Sequence, residues 1–264
     1  AGGAMVATRV ESTTNSAGND VTLETSAGGI QLVRVSVGEL GDVSVTSAGA
    51  ITEDGNAATV VSGGGLVLTA VGGIDVDTAV VSISAVATGA GAVVIEESDG
   101  VNLESVVAAD GSINVSAGGD MVVTRVESTT SSAGNDVTLE TSAGGVQLVS
   151  VSAGELGDVS VSSAGAITED GDAATVVSGG ELSLGSVGGI DVDTAVGTIS
   201  ATATGAGAIV IEESDGVELK SVVAADGLIS VSAGGDMVAT RVESKTNGAG
   251  NDVTLETSAG GIQL

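Results

Sequence analysis

The chain repeats itself every 116 residues, and the copies are nearly identical. Met5, Met121 and Met237 mark one position in three successive copies, within VATRVEST, VVTRVEST and VATRVESK. The segment AGNDVTLETSAGG begins at Ala17, Ala133 and Ala249. Residues 1–116 and 117–232 differ at 20 positions, so 96 of 116 agree. Such an array folds as stacked units, each burying its apolar face on the next. Copies this similar do not carry separate active sites for different tasks. The copies run 1–116, 117–232 and, in part, 233–264, and residues 1–264 are expected to form one continuous solenoid. The chain opens and closes inside a copy, so we expect a window from a longer repetitive protein.

A finer period lies inside the long one. Each copy divides into units starting near Asp20, Asp42, Gly65, Ala92 and Ser112, with lengths of 22, 23, 27, 20 and 24 residues. Each unit opens with a short alternating segment: DVTLET, DVSVTS, GLVLTA, AVVIEES or SINVSA. Alternation of period two places Val21 and Leu23, or Val93 and Ile95, on one face of a strand. A small-residue turn follows, then a second segment with apolar residues at its first, third and sixth places. These are Ile30, Leu32, Val35; Ile74, Val76, Ala79; Val101, Leu103, Val106; and Met121, Val123, Val126. The second unit keeps only Ile51 before ITEDGNAA interrupts it. The remainder, such as VSISAVATGAG, reads as a variable loop. One such unit cannot bury its apolar face alone, but a stack can. The spacing predicts an all-β parallel β-solenoid with about five coils per 116-residue repeat. The alternative is a string of immunoglobulin-like β-sandwiches, which the short period and the lack of linkers disfavour.

Composition supports the stack. There is no Phe, Tyr or Trp, so the core must close with small aliphatic side chains and must be narrow. There is no Pro, which a chain of doubly paired strands excludes. The absence of Cys and His removes disulfides, thiolate sites and the commonest general base. A net charge of −29 without aromatic platforms argues against nucleic acid. No apolar run is long enough for a membrane-spanning helix, so no membrane insertion is expected.

Runs such as SAGNDVTLETSAGGIQLV and VSAGGDMVVTRV resemble the shaft repeats of filamentous haemagglutinin-like adhesins. Those are very large bacterial surface proteins, typically exported by two-partner secretion. The resemblance covers nearly the whole chain. It implies a right-handed β-helix of roughly twenty-residue coils with AGG-type turns, located extracellularly or at the cell surface.

The acidic residues are the candidates for chemistry. Thr52-Glu53-Asp54-Gly55 recurs as Thr168-Glu169-Asp170-Gly171, and Asp75 and Asp77 recur as Asp191 and Asp193. Hard oxygen ligands at such spacing suit calcium. The calcium candidates are therefore Glu53, Asp54, Asp75, Asp77, Glu169, Asp170, Asp191 and Asp193. The nine-residue calcium β-roll pattern is incomplete, since GGIDVD lacks its third Gly and the nine-residue period is missing. The reading taken is that these carboxylates face solvent and that no cofactor is required. Paired carboxylates also suit a glycosidase, but no aromatic sugar platform accompanies them. Arg9, Arg125 and Arg241 precede Glu11, Glu127 and Glu243 by two residues and are expected to pair with acids on adjacent coils. Scattered Thr and unequal coil lengths do not make an ice-binding face.

The function expected is non-enzymatic. The chain reads as a shaft or fibre segment of a giant extracellular repeat protein, used for adhesion, projection or filament formation. Its partners would be further copies of the same repeat, end to end or lateral, and other cells or surface glycans. The alternative is a calcium-dependent extracellular binding module.

Overall fold

The computed structural model describes residues 1–56, 61–172 and 176–264. Among them there is no helix, and the strand pairings are parallel. The immunoglobulin-like alternative, which needs antiparallel sheets, is thereby set aside. The chain forms two compact units, Ala1–Thr130 and Ser131–Leu264, each a parallel β-solenoid.

In the first unit the strands stack in three columns. One column runs Met5, Ile30, Ile51, Ile74, Val93, Ile113, five turns in all. A second begins Val10, Val35, Val61, Thr78. The third runs Val21, Val43, Leu66, Ile83, Leu103, Val123. Alternation sends every second side chain into the centre, where Ile30, Leu32, Ile51, Leu68, Ile83 and Leu103 are fully buried. Like sits above like at the inter-strand distance of ~4.8 Å. A ring of Val, Ile, Leu and Ala fills so narrow an interior without aromatics.

The columns reveal how the long repeat fits the coil. Met121 stacks on Val101, outside the column that contains Met5. The repeat is therefore out of phase with the turn: five turns carry the column of Val21 to Val123, and Val137, the copy of Val21, lies one strand further on. The second unit repeats this. Val137 heads the column Val159, Leu182, Ile199, Leu219, Ala239. Its counterpart Val253 closes a different column, Val146, Ile167, Ile190, Ile209, Ile229.

The cause is the segment expected to be a variable loop. VSISAVATGA is instead the second half of one long strand, Ile74–Ala90. Ile83, Ala85 and Ala87 alternate inward and are completely buried. Leu66 consequently stacks on Ile83, and Ile74 on Val93. The 27-residue unit thus contributes one strand more than its neighbours, and that strand shifts the next copy by one column. The same long strand keeps its alternation past Val76, in place of the shift to a sixth apolar place at Ala79. Thr78 and Val80 point inward there, and Ala79 is half-buried.

Most other inward assignments stand. Ile30, Leu32, Val137, Leu139, Val146 and Leu148 are buried. Val21 and Leu23 are only half-buried, because the strand Val21–Thr25 is covered by Val43–Ser47 on one side. The last two residues of the interruption ITEDGNAA, 57 and 58, lie outside the described residues. In the second unit, Ala239, Val242, Val253, Leu255, Ile262 and Leu264 line an open apolar recess of about 590 Å³.

Candidate functional site

Each coil must turn a corner at the end of its opening strand. The fifth residue of that strand points inward at the turn, where backbone carbonyls need donors. Thr25 Oγ1 donates to the Gly28 carbonyl at 3.0 Å, and Ser47 Oγ donates to Ala50 at 3.1 Å. Thr141 and Ser163 do the same for Gly144 and Ala166, at 3.1 and 3.2 Å. Small hydroxyl residues recur here because they satisfy the corner without widening it.

At Glu97 and Glu213 the corner holds a carboxylate instead. Both are 4% exposed. Glu97 Oε2 accepts from Thr78 Oγ1 at 2.8 Å and from the Val80 N–H at 3.1 Å. Its other oxygen accepts from the Asp99 N–H at 3.3 Å and from Ser98 Oγ at 3.5 Å. Glu213 repeats this with Thr194, Val196, Asp215 and Ser214. Burial pushes both carboxyls above the ordinary range, and the bonds from Thr and Val partly offset that rise. The sequence reading missed these two residues. The signal was there: in VVIEE the inward alternation of Val93 and Ile95 extends to Glu97.

The calcium candidates lie on the outside. Glu53 and Asp54 close their own turn, accepting from the N–H groups of Gly55 at 2.7 Å and Asn56 at 3.1 Å. Glu169 and Asp170 accept from Gly171 at 2.6 Å and Asp172 at 3.0 Å. Asp75 and Asp77 project outward from the strand Ile74–Ala90, where Asp77 stacks beside Glu96. Partial burial raises Asp75, with Glu53 adding to it. Burial raises Asp77 as well, followed by repulsion from Glu96, Glu53, Asp75 and Asp54. Asp193 is raised by burial and then by Glu212, Glu169 and Asp191. The fold thus gathers the candidates into an acidic stripe. Among the described residues, however, no three carboxylates converge as metal ligands do.

The arginines pair differently from expectation. Arg9 meets Glu11 in its own coil at 2.6 Å, and Arg241 meets Glu243 at 2.5 Å. Arg125 pairs with Glu127 in the same way. Residues two apart in extended chain point to the same side, so the nearest acid is the local one. The contact between coils is made by Arg34, which reaches Glu11 at 3.2 Å.

A scan against protein-family models, a search of curated proteins and a search of solved structures each returned no match.

Proposed function

We propose that this chain is a shaft segment of a very large bacterial extracellular or cell-surface repeat protein, of the filamentous haemagglutinin-like kind. Its work is geometric: it projects an adhesive element or builds a filament, and it carries out no catalysis. One observation supports this above the others. Many of the apolar residues that recur between copies stack in uninterrupted apolar columns, as from Val21 to Val123 and from Val146 to Val253. The recurring polar residues mostly close turns or pair locally. Residues kept for stacking suit a spacer.

Further copies of the repeat are the partners that suit it best, placed end to end or side by side. Other cells and surface glycans would be met by whatever the shaft carries. Electron microscopy of concentrated protein tests this. Thin rods are expected, with a rise of about 26 Å per copy, since sixteen strand positions in three columns make five and one-third turns at ~4.8 Å. Immunolabelling of intact cells should place the protein outside. Compact particles that never associate, or a purely internal label, would overturn the reading.

A further inference from the structure

The two full copies diverge most densely at one surface groove. In the first unit this groove of about 360 Å³ lies beside the strands Val61–Ala70 and Ile74–Ala90. Val67 and Val81 are exposed on it, and Glu39, Asp42 and Glu104 rim it. None of its ten lining residues is basic. Five of those ten differ in the second copy: Gly65, Val67, Val81, Ser82 and Glu104 become Glu181, Ser183, Gly197, Thr198 and Lys220. Across the whole repeat only 20 of 116 positions differ. The groove therefore holds a quarter of all the changes in under a tenth of the positions.

The changes are chemically coordinated. In the second unit Lys220 Nζ bonds Glu181 Oε2 at 2.7 Å across an intervening strand. Lys220 sits at a register shift between Leu219 and Ser221, where a bulge re-aims the side chain over its neighbour. The pairing raises the Lys220 ammonium above its ordinary value, chiefly through the bond to Glu181 and with help from Glu218 and Asp158. Glu104 occupies the same bulge in the first unit and leans the same way, 3.4 Å from Ser84 Oγ. Ahead of it stands Gly65, with no side chain to meet it. So one copy spans its groove with its own lysine, while the other leaves a carboxylate beside two exposed valines.

We propose that the groove of Val67, Val81 and Glu104 docks a lysine side chain of a basic protein segment. The aliphatic stem lies on the valines while the ammonium pairs with Glu104, supported by Asp42 and Glu39. Lysine stems cover apolar surface in this manner while the charged head stays at the rim. Charge selects the partner's type. The chain carries a net charge of −29, so a cationic segment is attracted to it. The second copy has replaced this external lysine by an internal one, which closes its groove.

The test is zero-length carbodiimide coupling of the intact chain to a blocked glycine peptide carrying one lysine, with adducts mapped by mass spectrometry. Coupling should concentrate at Glu104, with lesser yield at Asp42 and Glu39. The paired change Gly65→Glu with Glu104→Lys copies the closed groove and should cut coupling at Asp42 and Glu39 about five-fold, the factor an exposed ion pair commands. The second copy tolerates both residues, so this variant should fold. Val67→Ser with Val81→Gly, also borrowed from the second copy, should lower coupling at Glu104 while leaving its charge in place. The converse pair, Glu181→Gly with Lys220→Glu, opens a groove that has Ser183 and Gly197 in place of the valines, and should couple at position 220 no better than the valine variant does at Glu104. Methylamine, which has no stem, should label exposed carboxylates evenly. The same Glu104 preference with methylamine, or adducts spread over the acidic surface, or coupling unchanged by the valine changes, would each overturn the proposal.

Discussion

Thr78 Oγ1 donates a 2.8 Å hydrogen bond to the buried carboxylate of Glu97, and Thr194 does the same to Glu213 at the same distance. The two residues are stacked partners in adjacent coils. The bond therefore locks one turn of the solenoid to the next at its corner. The Val80 N–H joins it, so a single carboxylate oxygen satisfies two donors inside the stack.

Replacing Glu97 by Ala should take the carboxylate acceptor from the Val80 N–H and leave the Thr78 hydroxyl only its 3.4 Å bond to the Glu96 carbonyl. A loss of about 1–3 kcal/mol is expected at pH 7, with a similar loss for Glu213→Ala. Glu96→Ala, on the outer side of the same strand, should change stability by less than ~0.5 kcal/mol. Urea denaturation followed by far-ultraviolet circular dichroism measures both. Equal effects at positions 96 and 97 would count against the buried corner.

The raised carboxyls imply a direction for pH. Burial lifts Glu97 and Glu213, and burial with like charges lifts Asp75, Asp77 and Asp193. The native state then binds these protons more tightly than the unfolded chain does. Stability is thus greatest below the ordinary carboxylate range and falls as pH rises through the raised folded values. Glu11, Asp226 and Glu243 are lowered by hydrogen bonds to Arg9, to Thr246 and Asn251, and to Arg241. They act in the opposite sense, but at exposed sites where solvent screens the effect. The net acidity of the chain adds to the first trend. The melting temperature should rise as pH drops from 7 to the ordinary carboxylate range, and less so in the Glu97→Ala, Glu213→Ala double variant. A melting temperature that falls steadily over this interval would refute the assignment.

The register can be checked with engineered cysteines, since the chain has none of its own. Asp75 stacks beside Val94, and Val67 beside Ser84. Neighbouring parallel strands lie at ~4.8 Å, within the range a disulfide spans. Asp75→Cys with Val94→Cys should oxidise readily. Val67→Cys with Val94→Cys, matched by the five-unit reading of the sequence, should remain reduced. The reverse outcome on non-reducing mass analysis would mean that the long strand does not run from the first column to the third.

Glycines divide into those that permit stacking and those that do not matter. A Cβ on Gly118 would lie 2.0 Å from the Ser98 carbonyl of the coil beneath, and one on Gly234 equally close to Ser214. Gly118→Ala should destabilise by about 1–3 kcal/mol, because rigid backbone must move. Around Gly185 there is open space, and the other copy has Thr69 there. Gly185→Thr should be neutral or stabilising by up to ~1 kcal/mol, as strand propensity favours Thr over Gly. Thermal melts of the two variants should move apart.

Much of the inner surface was legible in the residues. The alternation in DVTLET, GLVLTA or SINVSA identifies inward positions directly, since period two is a property of extended chain and needs no tertiary context. Val101, Leu103, Val106 and their counterparts at Met121, Val123 and Val126 follow from the same pattern and are buried. The sequence reading went astray at VSISAVATGA. Its inward residues after Ile83 are the alanines Ala85 and Ala87, too small to register as a hydrophobic stripe, so the segment looked like a loop. Glu97 escaped notice for a related reason: a carboxylate reads as a surface residue until the strand's parity is carried one step further.

The sequence by itself determined that this chain stacks, that its core is thin and aliphatic, and which face of most strands turns inward. Those properties are local or compositional, and each short segment declares them alone. Only the tertiary structure decided which strand lies on which. Every column presents similar Val, Ile and Leu side chains, and the parallel ladder bonds any backbone to any other. Nothing local therefore distinguishes Leu66 on Ile83 from Leu66 on Val93. The count of strands around the coil makes that choice. One extra strand per copy moves Met121 out of the column of Met5, and sets the phase of the repeat against the turn of the solenoid.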